Sequence, residues 1–416
     1  MENNIKTILG LIDQETKRQQ DGLVMIASEN YASEQVLQAM GTPLSNKYSE
    51  GYPGKRYYTG NQFVDQIESM AQKLALQMFN ISENNWHANV QPHSGSSANI
   101  AVYMATLKPG DKILGLDLGA GGHLTHGSPV NFSGKLFHFI HYTVNPKTHV
   151  FDYDEIEAIA KREQPKMIVC GATAYTQIID FKRFAQIAKS VNALLLADIS
   201  HIAGLIIGDV HPTPFPDADI ITTTTHKTLG GPRSAIIICR KSLAPAIDKA
   251  VFPGMQGGPQ DHVTAAKAIC FAEAMTPEFK QRQKQTVLNA EVMAKTLKDN
   301  GIKLVADSTQ NHLVLLDCQN LGISGKEGAN IMAEAEIYTN ANMIPFDPAT
   351  PMNPSGIRLG TPALTARGMK EAEMVIIGNW IAQILKAPTD KALRDKIKTE
   401  VLALTKKFPI YQHGEK

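Results

Sequence analysis

A lysine follows four threonines and a histidine in the segment TTTTHKTLGG, residues 222–231, and a glycine pair comes directly after it. A Lys-Thr pair beside glycines can end a phosphate-binding P-loop, serve covalent chemistry, or be an ordinary solvated loop lysine. A P-loop places its glycines before the lysine, so that backbone N–H groups can surround the phosphates. Because Gly230 and Gly231 follow Lys227, the spacing excludes the P-loop.

The acidic residue Asp198 ends the apolar run ALLLAD, one predicted strand before Lys227. A carboxylate at the end of a buried strand is partly desolvated, so it needs a cationic partner or it holds a proton. Taken alone, Asp198 could also cap a following helix. If the two strands are neighbours, both side chains face one cavity. There they match pyridoxal phosphate chemistry, in which a lysine forms a Schiff base and a carboxylate pairs with the pyridinium nitrogen.

A phosphate-binding segment is predicted at residues 91–98, QPHSGSSA, which lead into the helical pattern NIAVYMATLK. Small residues at a helix start offer backbone donors and a favourable dipole to an anion. By itself this pattern is also that of an ordinary helix cap. A second glycine-rich segment at residues 252–259, FPGMQGGP, could supply further N–H groups.

A cation for the substrate is predicted at Arg358, within SGIRLGTPA. A guanidinium between glycines can approach an amino-acid carboxylate closely and bind it through two hydrogen bonds. Spacing alone leaves a surface arginine as the alternative.

Five short apolar runs must position these groups, at residues 113–117, 167–171, 193–198, 219–225 and 235–240. Such strands alternating with amphipathic helices, as at 181–191, predict an α/β fold with a mainly parallel sheet covered by helices. Ligands of such sheets bind at the carboxyl ends of the strands. Beyond residue 275 the pattern changes to a long polar-faced helix, a strand at 312–317 and a helix near 326–336. We therefore expect a large domain over residues 1–275 and a small one over 276–416.

Composition narrows the class of protein. The 416 residues carry a net charge of +1, so the composition does not indicate a basic surface that would bind nucleic acid. Four widely spaced cysteines predict neither a disulfide framework nor a metal site. No secretory signal or membrane-spanning run is apparent, so we expect a cytoplasmic enzyme.

Seven segments, in this order along nearly the whole chain, resemble serine hydroxymethyltransferase. They are SEN at 28–30, NKYSEGYPGKRYY at 46–58, QPHSGS at 91–96, GGHLTHGSPVNFSGK at 121–135, TTTTHKTLGGPR at 222–233, QGGP at 256–259 and SGIRLGTPAL at 355–364. The resemblance implies the aspartate-aminotransferase-like fold (fold type I), with a seven-stranded sheet in the large domain and a smaller C-terminal α+β domain. It also implies a homodimer or dimer of dimers with shared active sites. The implied reaction converts serine and tetrahydrofolate to glycine and methylenetetrahydrofolate.

The resemblance assigns a role in cofactor binding to particular residues. Lys227 would form the Schiff base, Asp198 would pair with the ring nitrogen, and His123 would stack on the ring. The remaining implied contacts of the cofactor and of the lysine are His201, Ser96, Gly95, Thr173, Arg233, His226 and Thr224, with Gly257 and Gly258 reaching the phosphate across a dimer interface.

The resemblance also assigns residues to the substrates. Arg358, helped by Ser28, would bind the amino-acid carboxylate. Glu50, with Tyr48 and Tyr58, would reach in from the neighbouring subunit and transfer protons near the serine hydroxyl. The residues that would contact the folate are Leu118, Gly122, Leu124 and Asn342.

Several residues near the implied site depart from the family pattern. They are Ser200 for alanine, Ala120 for histidine, Thr173 and Thr176 for smaller or serine residues, Met255 for glycine, Ser234-Ala235 for a glycine pair, and Ala341 and Phe346 for polar residues. Two alternatives therefore stay open beside the folate-dependent enzyme. One is a specialised relative, such as an α-methylserine hydroxymethyltransferase, a threonine-type aldolase or a transaldolase. The other is a non-catalytic protein that binds RNA or a partner, against which the set Lys227, Asp198, Arg358 and Glu50 argues.

Overall fold

The computed structural model describes residues 2–411. The α-helices are α1 Glu2–Asp21, α2 Glu34–Met40, α3 Gln62–Gln77, α4 Gly95–Thr106, α5 Phe132–Leu136, α6 Tyr153–Glu163, α7 Phe181–Ser190, α8 Ala203–Ile207, α9 Ala244–Lys249, α10 Asp261–Ala274, α11 Pro277–Asp299, α12 Gly325–Glu334, α13 Pro362–Ala366, α14 Glu371–Lys386 and α15 Lys391–Thr405. The strands are β1 Leu23–Val24, β2 Gly51–Tyr52, β3 Lys55–Arg56, β4 Trp86–Asn89, β5 Lys112–Leu116, β6 His138–Tyr142, β7 Met167–Cys170, β8 Leu194–Asp198, β9 Ile220–Thr224, β10 Ala235–Arg240, β11 Lys303–Leu304, β12 Leu313–Asp317, β13 Ile337–Tyr338, β14 Asn340–Asn342 and β15 Gly356–Gly360.

The chain forms two compact units. One runs from Asn30 to Lys284, and the other combines the described residues up to Glu29 with the described residues from Gln285 onward. The boundary between these compact units lies inside α11, and the first described residues group with the C-terminal stretch. The physical reason is that β1 pairs in parallel with β13 and α1 packs on α15. As a statement about domains, the division at 275/276 stays a prediction.

The larger unit is built on a seven-stranded sheet in the order β4-β10-β9-β8-β7-β5-β6. Its four pairings from β9 to β6 are parallel, and β10 runs antiparallel to β9 and to β4. All five apolar runs of the sequence form strands of this sheet, within two residues of the predicted bounds. The prediction of an α/β fold with a mainly parallel sheet is confirmed.

The central strands are buried on both faces, which is why they read as continuous apolar runs. Every residue of β7 and β9 is buried. On one face the core joins α4, α9 and the strand interiors around Val102, Leu196 and Ile237. α7 follows its predicted amphipathic pattern and buries Phe181, Phe184 and Ile187. These layers fix the carboxyl ends of β7, β8 and β9 side by side.

The smaller unit contains a four-stranded sheet in the order β11-β12-β15-β14, with antiparallel pairings. Its core includes Leu316, Ile357, Ile381 and Val401, so the sheet packs with the helices α14 and α15. The strand predicted at 312–317 and the helix predicted near 326–336 are present as β12 and α12. Both units thus combine helices and strands.

Among the helices that the structure describes, none has the length and apolar character needed to cross a membrane.

Candidate active site

Asp198 and Lys227 lie at the carboxyl ends of two adjacent parallel strands. Asp198 is the last residue of β8 and pairs in register with Thr222 of β9, and Lys227 follows β9 by three residues. The side chains are only 8% and 9% exposed. Both line one cleft, whose other lining residues are Gly95, His123, His126, Ala172, Thr173, Ser200, His201 and Thr224. The structure therefore brings together Asp198 and Lys227 as the strand order requires.

The carboxylate of Asp198 accepts four hydrogen bonds. Oδ1 accepts from the Ser200 hydroxyl at 2.6 Å and from the Ser200 N–H at 3.1 Å. Oδ2 accepts from Asn99 Nδ2 at 2.9 Å and from His126 Nε2 at 3.2 Å. Burial by itself would raise the pKa of Asp198, but the hydrogen bonds from His126 and Ser200 and the nearby imidazoles hold that pKa well below its usual range. Asp198 is thus a fixed buried anion.

Backbone N–H groups of the loop between β5 and α5 set the tautomers of both imidazoles beside Asp198. The Thr125 N–H donates to His123 Nδ1 at 3.2 Å, which leaves the hydrogen of His123 on Nε2. The His123 N–H donates to His126 Nδ1 at 3.3 Å, which leaves the hydrogen of His126 on Nε2, facing the carboxylate. Asn99 Nδ2 donates to Thr125 Oγ1 at 2.8 Å, and Thr125 Oγ1 in turn lies 2.7 Å from His123 Nδ1. Burial and the neighbouring His126 lower the pKa of His123 to about 4. His123 is therefore uncharged at neutral pH.

Lys227 is held by its own segment. Its Nζ donates to Thr224 Oγ1 at 3.3 Å, and its carbonyl accepts from Asn30 Nδ2 at 2.9 Å. Burial lowers the pKa of the adjacent His226 to about 3, assisted by the charges of Lys227 and Arg233. Gly230 adopts a φ of +75°, a conformation that favours glycine and closes the turn back to Lys227, whose carbonyl accepts from the Gly230 N–H at 3.0 Å. The glycines after the lysine thus serve a tight turn.

The amino end of α4 opens on the same cleft. Ser94 caps this helix by accepting from Ser97 N–H at 3.2 Å, and the N–H groups of the first helical turn have no acceptor within the helix. A Cβ placed on Gly95 would lie 2.8 Å from Thr224 Cγ2, so the helix reaches the cleft only because residue 95 lacks a side chain. Ser96 follows and is exposed. These groups fit a phosphate, since helix starts bind anions through N–H groups and dipole.

The chemistry of this donor set fits pyridoxal phosphate as a whole. A buried lysine, a fixed carboxylate and an anion-binding helix start surround one cleft, and each matches one end of that cofactor. Thr173 closes a further wall, with its Oγ1 donating to Gly121 O at 3.2 Å and Gly122 O at 3.1 Å. Leu118 and Leu124 are exposed and lie in the loop between β5 and α5, which also contains Gly121 and Gly122. Arg233 is also exposed and is not a lining residue of this cleft.

A second cluster of predicted residues lies around Glu50. The hydroxyls of Tyr48 and Tyr58 donate to its two carboxylate oxygens at 3.4 and 3.3 Å, and the charge of Glu50 raises the pKa of Tyr58. A Cβ on Gly257 would lie 3.3 Å from Glu50 Oε1, and one on Gly258 3.6 Å from Glu50 Cγ. Glu50 and Gly257 line a cavity that shares no residue with the Lys227 cleft. Within one chain, therefore, the predicted proton-transfer group and the predicted lysine line different cavities.

A buried guanidinium holds the backbone on both sides of Glu50. Arg56 Nη1 donates to Ser49 O and to Gly51 O, each at 2.8 Å. Its Nη2 forms an ion pair with the buried Glu68 at 2.6 Å. Arg56 stands in the motif NKYSEGYPGKRYY, yet the sequence reasoning assigned it no role.

The smaller unit contains the predicted carboxylate clamp. Arg358 lies on β15, is 9% exposed, and donates from Nε to Asn340 Oδ1 at 3.1 Å. Burial lowers the pKa of Arg358 to about 10, so the guanidinium remains charged at neutral pH. The Gly360 N–H donates to Met25 O at 2.8 Å, which brings the segment before Ser28 against β15. Asn342 lies on the neighbouring strand β14.

Two contributors to the site were missed by the sequence reasoning, Asn99 and His126. Both donate directly to Asp198. His126 could have been found from its place in the quoted motif GGHLTHG. Asn99 carried a weaker signal, a polar residue one turn into an otherwise apolar helix. Within residues 2–411, no group of three or more histidine, cysteine or acidic side chains has the arrangement of a metal site.

Comparisons with known proteins show which proteins this chain is similar to. A family model described as serine hydroxymethyltransferase matches residues 1–381. A protein of Nostoc sp. named serine hydroxymethyltransferase is 51% identical over 414 residues, covering 99% of this chain and 96% of its own. A protein of the same name from Acidobacterium capsulatum is 52% identical over 404 residues, covering 97% of this chain and 94% of its own.

Proposed function

The chain belongs to the serine hydroxymethyltransferase family, and from this premise we propose that Lys227 and Asp198 form the cofactor site of an enzyme that interconverts serine and glycine. Serine and tetrahydrofolate give glycine, 5,10-methylenetetrahydrofolate and water. The enzyme depends on pyridoxal phosphate, with tetrahydrofolate as co-substrate. The observation that supports this site most is the pair Asp198 and Lys227 at the carboxyl ends of adjacent parallel strands, in one cleft.

Residues of the larger unit hold the cofactor. When bound, pyridoxal phosphate withdraws electrons from the α-carbon of the amino acid. Lys227 provides the covalent attachment, and Asp198 keeps the ring nitrogen protonated because its own carboxyl is a fixed anion. His123 covers the ring. The remaining cofactor contacts that we propose are the N–H groups at Gly95 and Ser96, together with Thr173, His201, Arg233, Gly257 and Gly258.

Arg358 binds and orients the substrate carboxylate, assisted by Ser28. A guanidinium that remains charged in a buried position binds a carboxylate strongly and with defined geometry. Orientation matters here because the bond that is broken must align with the electron-withdrawing ring. We assign the folate contacts to Leu118, Gly122, Leu124 and Asn342.

Glu50 transfers a proton at the hydroxyl oxygen of serine and at the folate, with Tyr48 and Tyr58 holding its carboxylate. His226 and Thr224 lie beside Lys227. Glu50 and Lys227 line separate cavities of one chain, and we propose that a second copy of the chain supplies Glu50 to the Lys227 cleft. The separation of the two cavities supports a homodimer with shared active sites. Two such dimers could associate further into a dimer of dimers.

Exposed apolar side chains support the homodimer. Helix α1 carries Ile5, Ile8, Leu9 and Ile12 on one stripe, each more than half exposed. In the larger unit, exposed apolar side chains are frequent in the stretch that contains Glu50: Leu37, Tyr48, Tyr57, Tyr58, Phe63 and Met70. Four free, buried cysteines agree with a cytoplasmic location, which we also propose.

The two other functions considered from the sequence are not favoured. Relatives that share half of all residues over nearly the full length carry the name serine hydroxymethyltransferase, not that of an aldolase or of an α-methylserine enzyme. A non-catalytic role would leave the buried charges of Asp198, Lys227 and Arg358 without a use.

Borohydride reduction tests the cofactor site. Reduction of the protein mixed with pyridoxal phosphate should fix the cofactor on Lys227, which peptide mass spectrometry locates. The Lys227→Ala variant should retain none, and it should lose the visible absorption of the bound cofactor. Stable attachment to a different lysine would contradict the assignment.

A further inference from the structure

Ser200 connects the two strand ends that carry Asp198 and Lys227. Its side chain is 9% exposed and lines the cofactor cleft. The Thr224 N–H donates to Ser200 Oγ at 3.1 Å, so the hydroxyl must direct its own hydrogen elsewhere. Asp198 Oδ1 lies 2.6 Å from Ser200 Oγ and receives it. The direction of this hydrogen bond is thereby fixed, and its length is typical of a hydroxyl that donates to an ionised carboxylate.

Asp198 offers no spare acceptor position as long as Ser200 donates to it. A carboxylate has about four lone-pair positions on its two oxygens. Four donors already fill them, two from Ser200 and one each from Asn99 and His126. A ring nitrogen that approaches Asp198 must share an oxygen with one of these donors. The Ser200 hydroxyl is the donor best placed to compete, because it makes the shortest of the four bonds.

We propose that Ser200 is a positioning residue that sets how strongly Asp198 acts on the ring nitrogen of the cofactor. Its hydroxyl holds Oδ1 in place and neutralises part of the carboxylate charge, so the ring carries more uncompensated positive charge than it would beside a free carboxylate. The inference rests on the proposed function, since it requires pyridoxal phosphate in the cleft.

A purely structural role does not need this hydroxyl. The two strand ends are also joined by bonds that do not involve the Ser200 hydroxyl. The Thr224 hydroxyl donates to Ser200 O at 3.3 Å, and the Ile199 N–H donates to Thr222 O at 2.9 Å. Removing the hydroxyl leaves both bonds. What it removes is the donor to Asp198 and the acceptor of the Thr224 N–H. Loss of the acceptor lowers stability, whereas loss of the donor should change the electronic properties of the cofactor.

The visible absorption of the bound cofactor reports this effect. Its midpoint in a pH titration follows the proton on the Lys227 nitrogen, and positive charge on the ring lowers that midpoint. Other titratable groups face Asp198 from the neighbouring elements and are present equally in every variant compared: His123, His126, His201, Lys227, Cys170 and Tyr103.

The experiment compares the holoenzyme with Ser200→Ala, Ser200→Thr and a control. In Ser200→Ala the midpoint should rise by about half to one pH unit, a roughly three- to tenfold change in the acid constant, as expected for a lost hydrogen bond to a charged group. Ser200→Thr keeps the hydroxyl and should return the midpoint to the wild-type value. The matched control is Thr223→Ala, which removes a buried hydroxyl of β9 that donates to Thr224 O at 2.8 Å. It should leave the midpoint unchanged.

A midpoint in Ser200→Ala that stays in place or falls would overturn the proposal. If Ser200→Ala does not fold, Ser200→Cys approximately preserves the side-chain volume with a weaker donor, and it must raise the midpoint as well. A midpoint that does not rise in Ser200→Cys would equally overturn the proposal. If the wild-type protein itself shows no visible band with pyridoxal phosphate, the proposed function fails. A band that is present but whose midpoint does not rise in Ser200→Ala overturns only the role of Ser200.

Discussion

At the scale of single residues, the site is organised around the buried charge of Asp198. A carboxylate in this position is stable only because four donors surround it, and three of them are side chains from different segments of the larger unit. The result is a carboxylate whose pKa lies well below its usual range, so that it is an anion at neutral pH. The charge is what a pyridinium nitrogen requires, so its removal should affect the chemistry more than the fold.

Replacing Asp198 with asparagine should lower kcat/KM for serine by on the order of 100-fold or more, because it removes the charge that stabilises the electron-withdrawing ring. The shape of the side chain is preserved. Steady-state kinetics of the variant saturated with pyridoxal phosphate measure the effect, and the unfolding temperature of the apoprotein serves as the control. Activity within a few-fold of wild type would show that Asp198 is not the partner of the ring.

His211 gives a prediction about the pH dependence of stability. It is buried, the Ile179 N–H donates to its Nε2 at 3.2 Å, and its Nδ1 lies 2.9 Å from Pro212 O. Burial lowers the pKa of His211 to about 4. Above pH 6.5 the ring is neutral in both states; between pH 6.5 and about 4 only the unfolded chain takes up the proton, so stability falls as the pH falls. This residue alone should cost roughly 3 kcal/mol of unfolding free energy over that interval.

Denaturant unfolding of the apoprotein at several pH values measures this cost. The variant His211→Gln should lose the corresponding part of the pH dependence. The exposed His138 offers the control, since His138→Gln should leave the dependence as it is. An unchanged pH dependence in His211→Gln would contradict the assignment.

At the scale of elements, the sheet could be predicted from the sequence to a large extent. Strands buried on both faces consist of continuous apolar residues in the sequence. Polar residues at the ends of these strands, such as Asp198, mark the edge of the sheet where ligands bind. The resemblance to a known family supplied most of the individual roles. His126 lies within a motif that could have pointed to it, whereas Asn99 was not found because its role depends on a distance across the fold, from α4 to the end of β8. For the same reason the sequence could not reveal that β1 pairs with β13 and draws the first residues to the C-terminal unit.

The start of α4 yields a prediction about an element. Gly95→Ala should lower the affinity for pyridoxal phosphate by about tenfold, because the new Cβ would lie 2.8 Å from Thr224 Cγ2, beside Lys227. The helix itself should gain up to about 1 kcal/mol, since alanine favours helices more than glycine does. Titration of the apoprotein with cofactor measures the loss. Adding Thr224→Ser removes the methyl group and should restore affinity; a loss that persists in the double variant would mean that the steric explanation is wrong.

At the scale of the whole molecule, Glu50 and Lys227 both belong to the larger unit but line different cavities of it. Glu50 lies with Tyr48, Tyr58 and Gly257, apart from the cleft of Lys227. Arg56 and Glu68 hold the Glu50 segment rigidly, which suits a carboxylate offered to another molecule. Activity should therefore require two copies that exchange these residues.

Mixed dimers test the exchange of residues. Lys227→Ala and Glu50→Gln should each be nearly inactive as homodimers. Unfolded together and refolded at equal ratio, half of the dimers are mixed and each mixed dimer has one intact site, so about a quarter of the wild-type activity should return. Dimers of each variant treated alone provide the control. No recovery in the mixture would place Glu50 and Lys227 of the same chain in one site.

The most direct test of the central claim is the conversion of serine to glycine by the purified protein with pyridoxal phosphate, with and without tetrahydrofolate. We expect glycine to form rapidly only when tetrahydrofolate is present, and not at all with Lys227→Ala. Threonine and α-methylserine should be cleaved more slowly than serine is converted. Cleavage of either compound that is faster than the conversion of serine and independent of tetrahydrofolate would contradict the account.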